Sequence, residues 1–290
     1  MSNHGKAFPE VLLLAAGLGT RLRPLTDHLP KCLMPINGHP LLFYWLEQLR
    51  SLGCERCYVN LHYYAELVRE VVNCSPYKDM VSFIEEPTLL GTAGTVREGY
   101  QFFQNKPLWL IHADNLSTGN WRGFIETYYQ DVEPGSLLMH TFVTDHPQSC
   151  GVVELEVENG RNRVVCFHEK VQRPPSNLAN GAVYLLTPQL VEVIANDPNI
   201  SDFSTEVLPR QVGQMVTWQT DGYHRDIGRW QSYVTAQREF RASWQPATSE
   251  GWKSWWRQQD NVAKWKLALS QCEMASTVDA LQIKESKVAL

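Results

Sequence analysis

The chain has 290 residues, of which 43% are hydrophobic and 11% aromatic, so it can bury a large core and is not a disordered protein. Its formal net charge of −5 argues against a general nucleic-acid-binding surface. No apolar run approaches the ~18 residues of a membrane-spanning helix, and we expect no signal peptide at the start. The Cys residues number 7 and are scattered, which argues against a disulfide framework and predicts a reduced, cytoplasmic protein.

The first part of the chain predicts strands that alternate with helices. A short apolar run over 11–16 is typical of a buried parallel strand, and it leads into a glycine-containing loop. Apolar residues at helical spacing predict a helix over 40–52 that stops at Gly53. Further strands are predicted over 57–61, 81–84 and 108–112, and further helices over 65–72 and 95–103. This alternation predicts right-handed βαβ units and a mostly parallel sheet with helices on both faces.

The second part of the chain is richer in predicted strands. Strands over 136–144, 151–158 and 163–168 follow one another closely, and Asn159-Gly160 is a strong hairpin signal between two of them. A strand over 181–186 and a helix over 188–194 come next. The predicted fold class is therefore α/β, with a Rossmann-like, mixed and mostly parallel sheet that continues into a β-rich half.

The composition changes near residue 243, so we divide the chain into a main domain over 1–243 and a helical tail over 244–290. Half of the 10 tryptophans lie in the tail, and its apolar residues from Trp252 to Leu267 roughly follow helical spacing. A single amphipathic helix is therefore predicted. Its apolar face would dock on the main domain; a homo-oligomer interface is the principal alternative, and membrane contact a minor one.

The loop after the first predicted strand has the composition of a phosphate-binding loop. Gly17 and Gly19 have no Cβ to obstruct a ligand, and exposed backbone N–H groups there can bind an anion. Arg21 supplies a planar fork of donors, and Lys31 adds a mobile positive charge. The spacing does not match two other phosphate-binding patterns. The P-loop pattern is absent, and Leu22 occupies the position where a dinucleotide fingerprint needs its third glycine.

These residues lie in the segments GLGTRLRPLT and PKCLMP, which resemble the signature of the sugar-phosphate nucleotidylyltransferases, or NDP-sugar pyrophosphorylases. The ordered motifs extend over roughly residues 10–240, and the chain is most similar to the mannose-1-phosphate guanylyltransferase-like members. The resemblance implies a nucleotidyltransferase domain over 1–243. It also implies that Arg21 and Lys31 hold the phosphates of a nucleoside triphosphate while a sugar 1-phosphate attacks.

Later motifs extend the resemblance. Asp114 follows the predicted strand over 108–112, where an aspartate alone would more often cap a helix; the family has a metal ligand there. Asp226, in HRDIG, resembles the aspartate of W-x-D-I-G-T that completes the Mg²⁺ site, although Tyr223 and Arg229 depart from that motif.

The segment FHEKV resembles F-x-E-K-P, with Val171 in place of the proline. The resemblance implies that Lys170 binds the sugar phosphate and that the β-rich half binds the sugar. The implied sugar-contacting residues are Asn115, Glu169, Asn180 and Gly181.

A third resemblance lies in EEP…GTAG, which has two more residues between Pro87 and Gly91 than the tightest family version. There the N–H groups at the start of the predicted helix would favour an anion. A carboxylate at Glu86 can only accept hydrogen bonds, and guanine offers more N–H donors than uracil, so GTP is weakly favoured. The implied nucleotide-contacting residues are Leu14, Ala15, Ala16, Gly17, Gly19, Thr20, Glu86, Gly91 and Thr92.

The expected function is transfer of a nucleoside monophosphate from an NTP to a sugar 1-phosphate, an EC 2.7.7 type of activity, with Mg²⁺ as cofactor. One alternative is a catalytically silent, nucleotide-sugar-binding regulatory subunit; the retained charged residues Arg21, Lys31, Asp114, Lys170 and Asp226 argue against it. A nicotinamide-dependent oxidoreductase is disfavoured by the missing third glycine. The base and the sugar stay open.

Overall fold

A computed structural model describes the backbone of residues 7–288 and the side chains of residues 7–275. The strands in this part of the chain are β1 (Glu10–Leu14), β2 (Pro35–Ile36), β3 (His39–Pro40), β4 (Cys57–Leu61), β5 (Val81–Glu85), β6 (Leu108–His112), β7 (Asn115–Ser117), β8 (Leu137–Val143), β9 (Gly151–Glu158), β10 (Arg161–Glu169), β11 (Leu178–Leu186), β12 (Val216–Gln219) and β13 (His224–Asp226). The helices are α1 (Leu41–Ser51), α2 (Ala65–Asn73), α3 (Thr92–Glu98), α4 (Tyr100–Phe103), α5 (Trp121–Asp131), α6 (Pro188–Asn196), α7 (Trp230–Glu239), α8 (Glu250–Gln258) and α9 (Asp260–Val288).

A nine-stranded mixed sheet in the order β5-β4-β1-β6-β11-β8-β12-β10-β9 forms the centre of the molecule. Its first four strands are parallel, and β1 lies between β4 and β6. The remaining pairings are antiparallel except that of β8 with β12. The α/β fold class, with a mixed sheet flanked by helices, is confirmed. The parallel strands lie where the chain alternates strand and helix, because each parallel neighbour needs a crossover connection.

The side chains of β1 divide the core into two parts. Val11 and Leu13 pack in the cluster that contains Trp45, whereas Leu12 packs in the cluster that contains Tyr184. Successive side chains of a strand point to opposite faces, so both faces of β1 are covered. This explains why the first predicted strand is a continuous apolar run rather than an alternating one.

Two turns follow from local backbone requirements. Asn159 and Gly160 have φ values of 52° and 78° and join β9 to β10, as predicted for a hairpin. The helix predicted over 95–103 is instead two helices, because the chain breaks at Gly99. A Cβ at Gly99 would lie 2.6 Å from the Phe103 ring and 2.9 Å from Ile84, so a glycine permits this close packing.

The tail packs against the main domain through its tryptophans. The Trp252 side chain is 3% exposed, and its ring lies 5.0 Å from that of Phe43 and 5.6 Å from that of Trp256. The prediction of one continuous helix is wrong, because Gln259 is extended, with ψ of 131°, and separates α8 from α9. Within the described residues, no helix is long and apolar enough to cross a bilayer.

We expect Trp252→Ala to lower the free energy of unfolding by about 3–5 kcal/mol, because the change leaves a cavity between the tail and α1. Urea unfolding followed by far-UV circular dichroism measures this effect. Leu267→Ala is the matched control: this tail side chain is 63% exposed, and its loss should change stability by no more than about 0.5 kcal/mol. Equal stabilities of the two variants would contradict the docking of the tail.

Candidate active site at the ends of the parallel strands

The loop after β1 is held by a side chain of the neighbouring strand. The backbone N–H groups of Ala15 and Ala16 both donate to Oδ1 of Asn60 in β4, at 2.6 and 3.2 Å. Asn60 is 3% exposed, so it holds the loop from inside the protein. Asn60 was not among the residues predicted from the sequence; the available signal was one amide within the apolar strand CYVNL.

Gly19 is required by the backbone of this loop. Its φ of 63° is left-handed, and a Cβ there would lie 2.8 Å from the Thr26 side chain. The Thr26 hydroxyl also donates to the Gly19 carbonyl at 2.9 Å, which fixes the turn. Gly17 differs, because no heavy atom beyond its own residue and its two chain neighbours lies within 4 Å of the position that its Cβ would take. The loop is therefore fixed at Gly19 and open at Gly17.

Lys31 brings the two predicted metal ligands together. Its Nζ lies 2.7 Å from Oδ2 of Asp114 and 2.7 Å from Oδ1 of Asp226, and only 7% of its side chain is exposed. Pairing of β13 with β7 sets Asp226 opposite Asn115, the residue after Asp114. The short β7–β13 sheet therefore places both carboxylates at the end of β6.

The charges of this cluster stabilise one another. Burial lowers the pKa of Lys31, but the two carboxylates more than offset this effect, and the net direction is upward. Partial burial raises the pKa of Asp226, but the Lys31 ammonium and the Gly228 N–H lower it to about 2. The Arg21 guanidinium adds a further positive charge 3.8 Å from Asp226. Lys31 and Asp226 are therefore both charged at neutral pH.

The two carboxylates are suitable ligands for a hard divalent cation. Asp114 and Asp226 direct carboxylate oxygens at a single positive group, the Lys31 ammonium. Mg²⁺ prefers oxygen ligands and is usually bound through one or two carboxylates together with substrate phosphates. These two aspartates are thus the residues that could hold Mg²⁺ here.

A cavity of about 330 Å³ lies beside this cluster, within the size range of small-molecule sites. All nine residues predicted to contact the nucleotide line it: Leu14, Ala15, Ala16, Gly17, Gly19, Thr20, Glu86, Gly91 and Thr92. Arg21, Lys31 and Asp114 line it too. Six further lining residues were not predicted from the sequence: Cys32, Asn60, Leu89, Thr95, His112 and Gly228. The cavity therefore gathers residues from the ends of β1, β4, β5 and β6, where ligands collect in open α/β sheets.

Glu86 is buried, and its two carboxylate oxygens are engaged to different degrees. It is 3% exposed, and its Oε1 accepts hydrogen bonds from Asn60 at 2.8 Å and Thr95 at 2.5 Å. Its Oε2 accepts only a long bond of 3.4 Å from the Leu90 N–H. One oxygen of Glu86 therefore holds Asn60, and through it the loop after β1, while the other is less engaged.

The expected anion site at the start of α3 is not available. The N–H groups of Ala93 and Gly94 already donate to the Ser201 carbonyl, at 2.9 and 3.3 Å. A Cβ at Gly91 would lie 2.4 Å from the same carbonyl oxygen, so glycine allows this approach. The prediction that these helix amides favour an anion is wrong, because the chain itself supplies their acceptor.

The residues predicted to contact the sugar form a separate group that does not line this cavity. At the end of β10, the Lys170 ammonium donates to Glu169. In β11, Asn180 donates to the Tyr184 hydroxyl at 2.7 Å, and the Tyr184 ring lies 6.4 Å from His112, a cavity residue. Asn115 donates to the Gly181 carbonyl at 3.4 Å. Tyr184 is thus the link between part of this group and the cavity.

A smaller cavity of about 80 Å³ lies on the other side of Arg21. Asp226, Arg229 and His224 also line it. Burial lowers the pKa of His224 to about 4, so this imidazole is neutral at pH 7. The Arg229 guanidinium, at a position that departs from the family motif, makes this cavity more positive.

The chain is similar to known proteins over most of its length. The mannose-1-phosphate guanyltransferase of Schizosaccharomyces pombe is 26% identical over 232 residues, which cover 78% of this chain and 62% of that protein. The glucose-1-phosphate thymidylyltransferase of Streptomyces antibioticus is 31% identical over 186 residues, covering 64% of this chain and 51% of that protein. The chain thus spans about three fifths of the first relative and half of the second.

Solved structures share the fold, and a family model matches most of the chain. UDP-glucose pyrophosphorylase complexed with UDP-glucose superimposes with a TM-score of 0.68 at 22% identity, over 80% of this chain and 98% of that one. HddC from Yersinia pseudotuberculosis, complexed with GMP-PN, superimposes with a TM-score of 0.67 at 26% identity, over 81% of this chain and 100% of that one. The family model, described as nucleotidyl transferase, matches residues 10–243 of this chain. The resemblance found in the sequence is therefore confirmed, and the chain belongs to the nucleotidyl transferase family.

Proposed function

We propose that this protein transfers a nucleoside monophosphate from an NTP to a sugar 1-phosphate, releasing an NDP-sugar and pyrophosphate. The observation that carries the proposal is the cluster of Lys31, Asp114 and Asp226 beside a cavity lined by a glycine-rich loop. The fission-yeast and Streptomyces relatives, a mannose-1-phosphate guanyltransferase and a glucose-1-phosphate thymidylyltransferase, support the same reaction class.

The chemical step needs little covalent help from the protein. An oxygen of the sugar phosphate forms a bond to the α-phosphorus, and the bond from that phosphorus to the bridging oxygen breaks; pyrophosphate leaves with the electron pair. The nucleophile is already an anion, so no base has to remove a proton. The protein has instead to hold two anions in line, and such positioning lowers a barrier by about 7–11 kcal/mol.

Arg21 and Lys31 are placed to offset the repulsion between those anions. An ammonium has three donors, and Lys31 uses two of them on Asp114 and Asp226, so one remains for a phosphate oxygen. Arg21 is 55% exposed and lines the cavity, so its guanidinium is accessible to a ligand. A hydrogen bond to a charged group contributes about 1.5–3 kcal/mol. Asp114 and Asp226 would hold Mg²⁺, which when bound supplies further positive charge to the phosphates.

We assign the sugar phosphate to the end of β10 and the adjoining part of β11. Lys170 is exposed and carries the positive charge for the phosphate, while Glu169 and Asn180 supply acceptors and donors for hydroxyl groups. Asn115 of β7 donates a hydrogen bond to the carbonyl of Gly181 in β11 and so supports the same region. This assignment requires the phosphate of the sugar to come within bonding distance of a nucleotide held in the larger cavity.

The base is proposed to be guanine. Oε2 of Glu86 is the less engaged oxygen of a buried carboxylate in the cavity wall, and it can only accept hydrogen bonds. Guanine presents more N–H donors on its pairing edge than uracil. The guanyltransferase relative and the GMP-PN bound to HddC are consistent with this choice.

The proposal extends to where the protein is located and how it would assemble. We place the protein in the cytoplasm, because no disulfide joins its described cysteines. A homo-oligomer would use the outer face of the tail, where Leu267 and Met274 are 63% and 62% exposed. The inner tryptophan face is already used by the main domain.

A matrix assay tests the reaction itself. Each common NTP is combined with mannose, glucose, N-acetylhexosamine and heptose 1-phosphates in the presence of Mg²⁺, and released pyrophosphate is measured. We expect one sugar 1-phosphate to be turned over with GTP at the highest kcat/KM. Binding of the substrates without pyrophosphate release would instead identify a silent regulatory subunit.

Asp226→Asn tests the carboxylate pair. The amide keeps the shape of the side chain but removes the charge that faces Lys31, so we expect kcat with Mg²⁺ to fall by at least about 100-fold. Asp221→Asn, which alters an exposed aspartate of the same segment, is the control and should keep normal turnover. Circular dichroism checks that both variants are folded. Near-normal turnover of Asp226→Asn would overturn the assignment.

Glu86→Gln tests the choice of base. Removing one charged acceptor should lower the ratio of kcat/KM for GTP to that for UTP by about ten-fold, in line with the strength of a hydrogen bond to a charged group. UTP serves as the internal control, since loss of the Asn60 contact would impair both nucleotides alike. An equal fall for both would limit Glu86 to holding the loop.

A further inference from the structure

The hairpin of β9 and β10 carries a group of metal-ligating side chains that the transfer reaction does not use. Ligand atoms of Glu154, Cys166 and His168 all lie within 4.8 Å of one another. His168 Nε2 and Glu154 Oε1 are 2.7 Å apart. Within the described residues, this is the one group of three or more His, Cys, Asp or Glu side chains that converges in this way.

A β-bulge brings these three side chains to one face. Val164 pairs with Leu155, but Cys166 pairs with Glu154, so β10 contains one extra residue at this point. A one-residue shift of register moves side chains to the opposite face of a strand. Without the bulge, Cys166 and His168 would therefore point away from Glu154. The irregularity of β10 is what assembles the group.

We propose that Glu154, Cys166 and His168 form a second metal site, which takes Zn²⁺ or a similar divalent transition metal. A thiolate, an imidazole and a carboxylate are the ligand types that zinc prefers, and Mg²⁺ does not favour sulfur or nitrogen. Bond lengths of about 2.0–2.3 Å place the ligand atoms of one zinc ion roughly 3–4 Å apart. The 2.7 Å between His168 and Glu154 and the upper limit of 4.8 Å for the whole group lie close to that range.

The exposure of the group allows an ion to enter and leaves room for water. The His168 side chain is 31% exposed and that of Glu154 is 44% exposed, and Cys166 is also exposed. Three protein ligands and one water complete a tetrahedral site. The paired strands restrict the backbone, so less conformational entropy is lost on binding than in a flexible loop.

This site is independent of the proposed transfer reaction. Its ligands come from β9 and β10, whereas the carboxylates for Mg²⁺ follow β6 and end β13. His168 nevertheless directly precedes Glu169, so a bound ion would anchor the strand end that carries the proposed sugar contacts. The two proposals are tested by different measurements, a thiolate-to-cobalt band for the metal site and released pyrophosphate for the transfer reaction, so failure of one is distinguishable from failure of the other.

Cobalt titration of the full chain tests the proposal, because Co²⁺ replaces Zn²⁺ and is visible spectroscopically. The protein is kept reduced in excess Mg²⁺, so that carboxylate sites without sulfur are already occupied. We expect a near-ultraviolet thiolate-to-cobalt band that saturates at about one ion per chain and disappears when Zn²⁺ is added.

Variants locate the site. Cys166→Ser should lose the band, and His168→Gln should weaken Co²⁺ binding by at least about ten-fold. Cys74→Ser, which removes another exposed thiol, should keep both the band and the affinity. The proposal is overturned if wild-type protein shows no band, if Cys166→Ser keeps it, or if Cys74→Ser loses it. Thermal unfolding of each variant without metal confirms that the hairpin is intact.

Discussion

The buried ammonium of Lys31 joins carboxylates that lie 83 and 195 residues away in the sequence. A buried positive charge without partners would cost several kcal/mol, and two neighbouring carboxylates without a cation between them would repel each other. The arrangement of Asp114 and Asp226 therefore depends on Lys31, and the position of Lys31 depends on them. Every element that bears on the candidate site, from the glycine-rich loop to the β7–β13 sheet, is placed so that these three groups meet.

The polar side chains beneath the cavity form a second layer that supports this cluster. The oxygen of Asn60 accepts hydrogen bonds from both loop amides, and its nitrogen donates to Glu86 and Thr95. A buried amide or carboxylate is tolerated only when its hydrogen bonds are satisfied, and here each satisfies the other. The loop after β1 is thus rigid at its base and open at Gly17. This combination suits the proposed transfer, in which two anions are brought together without losing energy to loop ordering.

Much of the architecture could be predicted from local patterns, and the exceptions have physical causes. The strands of the parallel half follow apolar runs, and Asn159-Gly160 forms the expected hairpin. The break at Gly99 could not be predicted, since the close packing of this residue involves Ile84 of β5 as well as Phe103. The break at Gln259 could not be predicted either, because this residue is extended within a pattern that is helical on both sides. The amides of α3 were expected to be available for an anion, but a loop more than a hundred residues later supplies the Ser201 carbonyl.

The sequence by itself determined the class of the protein and the residue types of its cleft, because glycines, prolines and charged groups at short fixed spacing are a local property of the chain. That Arg21 and Lys31 hold phosphates stays a prediction. Only the tertiary structure decided which distant groups share that cleft. It brings the two aspartates to the Lys31 nitrogen, adds Asn60, and leaves the β10 and β11 residues outside the cavity that the glycine-rich loop lines. Contacts between distant segments depend on strand order and packing, which no short motif encodes.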